Sequence, residues 1–408
     1  VLKHSYSQVI HEKFGLDYKL VEVKKDMLDN FLKECQYEGF NVTIPYKQDV
    51  IPFLAEIDPK AQKIGAVNTV VNKNGKLLGY NTDFLGLKSL ILKNNMELCG
   101  KKVLILGSGG TSKTALAVAE DLGALEVFCL SRKGSEGLIT YTEAYNNHTD
   151  AEVIINTTPC GMYPNIGESA IDISKFPRLE AVVDAVYNPL SSALVVEARN
   201  RGIKATGGLY MLISQGVFAS ELFLDKKYPE TLVDGIFESI LKEKQNIVLI
   251  GMPASGKTTV GKALAESLGR SFFDSDEEIV KREGTAVSEI FALKGEKYFR
   301  GCESEVIKEL SALQSSVIAT GGGAVLNPKN TDLLKENGKV FFLDRNLDDI
   351  AATPDRPLSS TREDLEKRYK ERYPIYCASA DYKINCSNDV EENVNAIKEV
   401  LSSENFSY

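Results

Sequence analysis

With 408 residues, 43% of them hydrophobic and 26% charged, the chain has the balance of ordinary globular protein and the length for two or three domains. A formal net charge of −9 argues against a nucleic-acid-binding surface, and no apolar run approaches the roughly 20 residues that span a bilayer. Seven scattered cysteines without a C-x-x-C pair read as reduced cytoplasmic thiols, Cys160 among them as an incidental one, and with only His4, His11 and His148 the acid–base work falls to Lys, Asp, Glu or Arg.

Strand-like runs alternate with helical stretches along the chain, which predicts an α/β architecture with mostly parallel sheets. The first segments that carry chemistry are HSYS (His4 to Ser7), ahead of a predicted helix bearing Val9, Ile10 and Phe14, then NVTIPYK (Asn41 to Lys47), IGAVNT (Ile64 to Thr69) and YNTD (Tyr80 to Asp83). A weak boundary falls near Cys99 to Lys102. The strand KVLIL then leads into GSGGTS, Gly107 to Ser112, and a helix striped with Ala115, Leu116, Ala119 and Leu122. This is the dinucleotide fingerprint G-x-G-x-x-G with Ser112 in place of the third glycine, and it makes Gly107, Gly109 and Gly110 cofactor-binding candidates. At the end of the next strand, where NAD would call for a carboxylate, stand Ser131, Arg132 and Lys133; two cations there suit the 2′-phosphate of NADP, the alternative being a solvated turn. Short apolar runs at Val103 to Leu106, Val127 to Leu130, Val153 to Ile155 and Ala181 to Val183 read as strands buried on both faces. NTTPCGM (Asn156 to Met162) and GGLYMLISQG (Gly207 to Gly216) come next.

The charged stretch Leu241 to Gln245 is the clearest boundary. Beyond it the apolar run Ile247 to Ile250 enters GMPASGKT, Gly251 to Thr258, which fits the P-loop pattern G-x-x-x-x-G-K-[ST]. Backbone N–H groups of Gly251, Ser255, Gly256 and Thr259 would cradle phosphate, Lys257 would reach the β and γ phosphates, and the Thr258 hydroxyl would hold Mg²⁺. The helix behind it has Val260, Ala263, Leu264 and Leu268 on one face and stops at Gly269.

On HSYS, NVTIPYK, IGAVNT, YNTD, NTTPCGM and GGLYMLISQG, residues 1–244 resemble shikimate dehydrogenase. The resemblance implies NADPH-dependent reduction of 3-dehydroshikimate, with Lys47 and Asp83 as catalytic pair: hydride transfer to a ketone leaves an alkoxide that needs a proton, and Lys47 is its donor. It further implies Ser5 and Ser7 as the carboxylate seat, Thr43, Asn68 and Gln215 as ligands of the ring hydroxyls, and Thr157 beside the nicotinamide. Singly, each has a plainer reading: Ser7 as a helix cap, Lys47 and Asp83 as a surface ion pair, Gln215 as the polar side of a helix. Gln8 stands where the family usually has proline. In the family HSYS follows an internal strand, whereas only Val1 to Lys3 precede it here. The expectation is therefore a weak, aggregation-prone dehydrogenase half that about ten further upstream residues would restore.

Residues 246–402 resemble shikimate kinase on the P-loop, DSD (Asp274 to Asp276), FRGCE (Phe299 to Glu303), GGG (Gly321 to Gly323), DRPL (Asp355 to Leu358) and ERYPIY (Glu371 to Tyr376). The resemblance implies ATP and Mg²⁺ as cofactors. It makes Asp276 ligand and base for the 3-hydroxyl, Asp274 the acid near Mg²⁺ beside Thr258, and Arg300 and Arg372 the grip on the substrate carboxylate. Gly322 and Gly323 would line the substrate, and Arg356 would reach the transferring phosphate from a lid. Glu303 and Asp274 are left unranked. Ala351, Ala352 and Thr353 stand where many members carry an arginine.

The combined expectation is a bifunctional cytoplasmic enzyme of the shikimate pathway. Residues 1–99 and 209–243 would form a substrate domain, 100–208 a Rossmann-type NADP domain, and 246–408 a P-loop kinase domain. Its partners would be small molecules, 3-dehydroshikimate and shikimate, with neither nucleic acid nor membrane; oligomeric state stays open. The rivals are a quinate dehydrogenase using NAD in the first half, and a non-catalytic sensor. The sensor predicts eroded catalytic positions, whereas Lys47, Asp83, Lys257, Asp276 and Arg300 all stand.

Overall fold

The computed structural model describes residues 6–350 and 362–403, which build three β-sheets. The first contains β1 (Gly39–Asn41), β2 (Glu56–Ile57), β3 (Thr69–Lys73) and β4 (Lys76–Tyr80) in the order β1-β3-β4-β2. It is mixed rather than parallel: β3 runs antiparallel to β1 and β4, and β2 parallel to β4. The β3–β4 turn is Asn74-Gly75 with φ of 54° and 84°, the positive pair that a two-residue hairpin requires.

The second sheet contains β5 (Lys102–Leu106), β6 (Glu126–Ser131), β7 (Leu138–Thr140), β8 (Val153–Asn156), β9 (Ala181–Asp184) and β10 (Lys204–Thr206). All its pairings are parallel, in the order β10-β9-β8-β5-β6-β7. β8 and β9 are buried along their whole length, which explains their apolar runs Val153 to Ile155 and Ala181 to Val183: helices cover both faces. Strand order reverses between β5 and β8, and a crevice beyond the C-terminal ends of such strands is where doubly wound folds take ligands.

The third sheet contains β11 (Asn246–Ile250), β12 (Ser271–Asp274), β13 (Ser316–Ala319), β14 (Gly338–Arg345) and β15 (Tyr382–Cys386), parallel throughout in the order β12-β13-β11-β14-β15.

After β10 the chain returns to its beginning. The helix Leu209–Leu224 packs on the helix Thr82–Lys93, and Gly86 permits the approach, since a Cβ there would lie 2.6 Å from the Met211 carbonyl. The next helix, Glu230–Lys244, buries Val233, Ile236, Ile240 and Leu241 and reaches β11 through Gln245 alone. The stretch Leu241 to Gln245, expected as a boundary segment, is thus mostly the last turn of a helix. Its carbonyls are capped from the second half: Arg270 donates to the carbonyls of Lys242 and, at 2.7 Å, Gln245. Farther along the seam the helix Ala193–Asn200 meets the helix Pro328–Asn337. Among the described residues no helix is long and apolar enough to cross a membrane.

Candidate active sites

The first site forms where the first sheet, the helix Thr82–Lys93 and the helix Leu209–Leu224 converge. Asn81 caps the first of these helices by accepting the Phe84 N–H at 3.1 Å, which fixes Asp83 in its first turn. Lys47 reaches Asp83 from the loop after β1, Nζ to Oδ2 2.6 Å, with side chains only 15% and 11% exposed. Asn68 accepts the Thr82 N–H at 2.7 Å and donates to the Thr82 hydroxyl at 3.1 Å; that hydroxyl lies 3.5 Å from Oε1 of Gln215. Three distant segments thereby meet through Thr82. Thr43 is exposed at the head of the turn leading to Lys47, its carbonyl accepting the Tyr46 N–H at 3.0 Å.

Ser7 begins the helix Ser7–Glu12, which is shorter than expected: Ile10 is buried, Val9 is exposed and Phe14 lies past its end, in a turn closed by Gly15 at φ 75°. Ile10 packs on Gly216, where a Cβ would lie 2.9 Å from its Cγ2, so Ser7 and Gln215 belong to adjoining elements. Ser5 lies outside the described residues.

The glycine loop after β5 adjoins this pair. Gly107 takes φ 118°, and a Cβ on it would stand 2.6 Å from the Thr157 hydroxyl. Its N–H donates to Leu130 at 2.9 Å, placing the loop beside the end of β6, where Ser131 is half-buried and Arg132 and Lys133 are exposed. Ser112 has a role that glycine could not fill: it is buried, and its hydroxyl donates to the Gly107 carbonyl at 2.7 Å, bracing the loop. A Cβ on Gly110 would touch Cδ of Lys47 at 3.6 Å. A dinucleotide on this loop would therefore end near Lys47, and the residues present fit such a group.

The second site surrounds the loop after β11. Gly251 takes φ 150°, and a Cβ there would press on the Leu343 carbonyl at 2.8 Å. Lys257 is buried and donates to the carbonyls of Gly251 and Met252 at 3.0 and 2.8 Å. Gly256 precedes its helix at φ 92°, Gly269 ends it at φ 64°, and Thr259 is exposed in its first turn. The Ser255 hydroxyl is buried without a hydrogen-bond partner among the described residues, an arrangement that fits a phosphate oxygen. Thr258 donates to Asp274 at 2.7 Å. These are hard oxygen donors, and among the described residues no group of three or more His, Cys, Asp or Glu could hold a metal. Mg²⁺ bound here would draw its remaining ligands from phosphate and water.

Asp276 stands in the first turn of the helix Ser275–Glu283, which Asp274 caps. Gly295, at φ 80°, breaks the long helical stretch Val287–Ser311, and the segment beyond it projects Arg300 and Glu303 one turn apart, 2.7 Å from each other. Glu303 is almost wholly buried, and burial pushes its carboxyl up to about 7 against the pull of Arg300. A Cβ on Gly321 would lie 2.6 Å from Oδ1 of Asp276 and 3.0 Å from Oε1 of Glu303; one on Gly322 would lie 2.7 Å from Pro253; one on Gly323 would collide with the Arg300 guanidinium. Arg372 is buried and donates to the Gly322 carbonyl at 3.0 Å. Arg356 lies outside the described residues, as do the segment DRPL and Ala351, Ala352 and Thr353.

Residues 2–70 match the family profile described as Shikimate dehydrogenase substrate binding domain, and residues 253–402 the one described as Shikimate kinase. The shikimate dehydrogenase (NADP(+)) of Clostridium perfringens is 35% identical over 257 residues, which is 59% of this chain and 95% of that protein. The chain belongs to the shikimate dehydrogenase family. It carries a shikimate kinase domain behind the dehydrogenase. A chorismate mutase/shikimate 5-dehydrogenase fusion protein from Clostridium acetobutylicum superposes with a TM-score of 0.55 at 38% identity, covering 59% of this chain and 94% of that one. The shikimate 5-dehydrogenase of Thermus thermophilus, in complex with NADP(H) and shikimate, gives 0.52 at 29%, covering 58% and 95%.

Several site residues escaped the sequence reading. In the dehydrogenase, Thr82 stands inside the quoted motif YNTD, yet only its place between Asn68 and Gln215 reveals its use. Asp184, fully buried at the end of β9, accepts from Asn156 at 2.9 Å, from Ser192 at 2.5 Å and from the Val186 N–H at 2.9 Å. Burial still pushes its carboxyl up to about 6. Through Asn156, which accepts from the Thr158 hydroxyl at 2.7 Å, it anchors the loop that begins at Thr157. In the kinase domain, Tyr376 donates to the same Gly322 carbonyl as Arg372, at 2.5 Å. It stands inside the quoted motif ERYPIY, one turn beyond Arg372, yet only this bond reveals its use.

Proposed function

We propose that the chain performs two consecutive reactions of the shikimate pathway: reduction of 3-dehydroshikimate by NADPH, then phosphorylation of shikimate at its 3-hydroxyl by Mg·ATP. One observation carries the reading: in each half the side chain that would move the proton stands against a glycine in a loop that follows a parallel strand, Lys47 against Gly110 after β5 and Asp276 against Gly321 after β13. NADPH, when bound, supplies the hydride. Lys47 then delivers a proton to the carbonyl oxygen, while Asp83, 2.6 Å away, holds the Lys47 side chain in place. Asn68 and Gln215, locked through Thr82, would receive ring hydroxyls together with Thr43, and Ser5 and Ser7 the carboxylate. In the kinase domain Asp276 accepts the 3-hydroxyl proton, Lys257 offsets charge on the transferring phosphoryl group, and Arg300 and Arg372 hold the carboxylate as guanidinium forks. Thr258 and Asp274 would hold Mg²⁺. All seven cysteines are free, which supports a cytoplasmic setting.

The decisive assay follows NADPH oxidation with 3-dehydroshikimate and ADP release with shikimate on one preparation, with quinate and NADH as alternatives. Absence of either activity removes that half of the reading, and preference for quinate with NAD would make the first half a quinate dehydrogenase.

Cofactor choice is expected to rest on Arg132. Losing a charge-assisted contact costs about 1.5–3 kcal/mol, or roughly ten- to a hundredfold in affinity. Arg132→Ala should raise KM for NADPH by that factor and leave NADH use almost unchanged; equal losses with both cofactors would show that Arg132 does not read the 2′-phosphate.

In the kinase domain, Gly323 has φ −102° and ψ −4°, a backbone open to any residue. Gly323→Ala should nevertheless displace the Arg300 guanidinium, raising KM for shikimate about ten- to a hundredfold while KM for ATP holds. An unchanged shikimate KM would remove Arg300 from the carboxylate site.

A further inference from the structure

The loop that begins at Thr157 is held from outside its own domain. Tyr163 donates its N–H to the Asn188 carbonyl at 2.9 Å, and the Asn188 side chain in turn accepts from Gln314 of the kinase domain at 3.2 Å. Four residues on, the Gly167 N–H donates to Oε2 of Glu336 at 3.3 Å. Glu336 belongs to the helix Pro328–Asn337 of the kinase domain and is only 1% exposed. Gly167 takes φ 80°, and a Cβ on it would press on Leu333 of the same helix at 3.0 Å, so the contact is fitted to glycine. Neighbouring bonds fix the helix end against the dehydrogenase: the Glu336 carbonyl accepts the Ser191 N–H at 2.8 Å, and Asn337 accepts the Leu190 N–H at 2.9 Å. Ser191 precedes Ser192, which binds Asp184 and thus reaches Asn156 at the root of the loop. Gln314 also accepts the Tyr6 hydroxyl at 3.2 Å, one residue before Ser7.

We propose that the kinase domain is a structural part of the reductase site, with Glu336 as a positioning residue that holds the loop Thr157 to Glu168 through the Gly167 N–H. The inference rests on the placement of that loop beside the nicotinamide. A buried carboxyl group that accepts a backbone N–H fixes the loop in one place, and a loop left to wander must be ordered again each time the cofactor binds, which appears as weaker binding. None of the residues assigned to the kinase site takes part in this contact, so its loss should fall on one reaction alone.

The test uses the full chain with Glu336→Ala and Glu336→Gln. Glutamine keeps an oxygen for the Gly167 N–H; alanine does not. Glu336→Ala should raise KM for NADPH about five- to tenfold, the equivalent of one hydrogen bond, with a smaller change in kcat. Glu336→Gln should stay within about twofold of the unsubstituted chain, and both should leave KM and kcat for shikimate phosphorylation as they were. Unchanged reductase constants in Glu336→Ala overturn the proposal, as do equal losses in the two variants or a parallel loss of kinase activity. If Glu336→Ala does not fold, amide exchange in the unsubstituted chain decides: the Gly167 amide should exchange well below the unprotected rate, and exchange at that rate overturns the proposal. An unsubstituted chain that does not reduce 3-dehydroshikimate with NADPH would instead count against the functional reading itself.

Discussion

Lys47→Ala should reduce kcat for ketone reduction by about a hundred- to ten-thousandfold, the usual worth of a positioned acid, and leave shikimate phosphorylation at its original rate. Lys257→Ala should do the converse, with a loss of about a hundred- to a thousandfold for removing a preorganised cation. The independence follows from placement. Lys47 is paired with Asp83 at 2.6 Å within the dehydrogenase, whereas Lys257 is folded over the carbonyls of Gly251 and Met252 in the kinase domain. Both reactions should be measured on each variant, with a melting curve to show that it is folded. A single substitution that removed both activities from a folded protein would end the two-site reading.

Asp276→Asn should lower kcat for phosphorylation by about a hundred- to ten-thousandfold, with KM for ATP within about twofold and reduction untouched. Asparagine has the same shape, and the cap of this helix is the neighbouring Asp274, which accepts the Asp276 N–H at 3.0 Å; the fold should therefore tolerate it. The change also removes a like charge from beside Glu303, whose carboxyl is held up partly by Asp276, so no loss of stability is expected. The ratio of the two kinetic effects separates the possible roles. A raised KM for shikimate with kcat nearly intact would make Asp276 a ligand of the hydroxyl and not its base.

Both glycine loops were legible because their information is local: a buried strand, a tight turn and an amphipathic helix succeed one another within about twenty residues. The replacement of the third glycine by Ser112 was visible, though not its reason, a hydroxyl turned back onto Gly107. Lys47 and Asp83, 36 positions apart, carry no pairing signal of their own, and Gln215 lies 133 positions from Thr82. Only the packing of two helices brings that glutamine to the site, and the sequence offered it solely through a family resemblance. The expectation of mostly parallel sheets holds for the second and third sheets, and the mixed first sheet is the exception, because strands joined by a two-residue hairpin, as β3 and β4 are, must run antiparallel. The seam was opaque for a plainer reason. Its bonds join single residues such as Gly167 and Glu336, 169 positions apart, and one acidic residue near a helix end looks like any other solvated charge.

The helix Glu230–Lys244 gives way to β11 after a single residue, Gln245. A joint of this kind behaves as a shaft and not as a tether. Lengthening a flexible tether only dilutes one site with respect to the other, but each residue added to a helix advances the chain beyond it by about 1.5 Å and turns it by about 100°. Insertions before Gln245 would thus act by angle: one or two residues swing Glu336 and Gln314 away from Gly167 and Asn188, and about seven, close to two full turns, restore the bearing while lifting the kinase domain off the surface it meets. The length of this helix is accordingly a coordinate of the dehydrogenase site, set some distance away from any residue that touches its substrate.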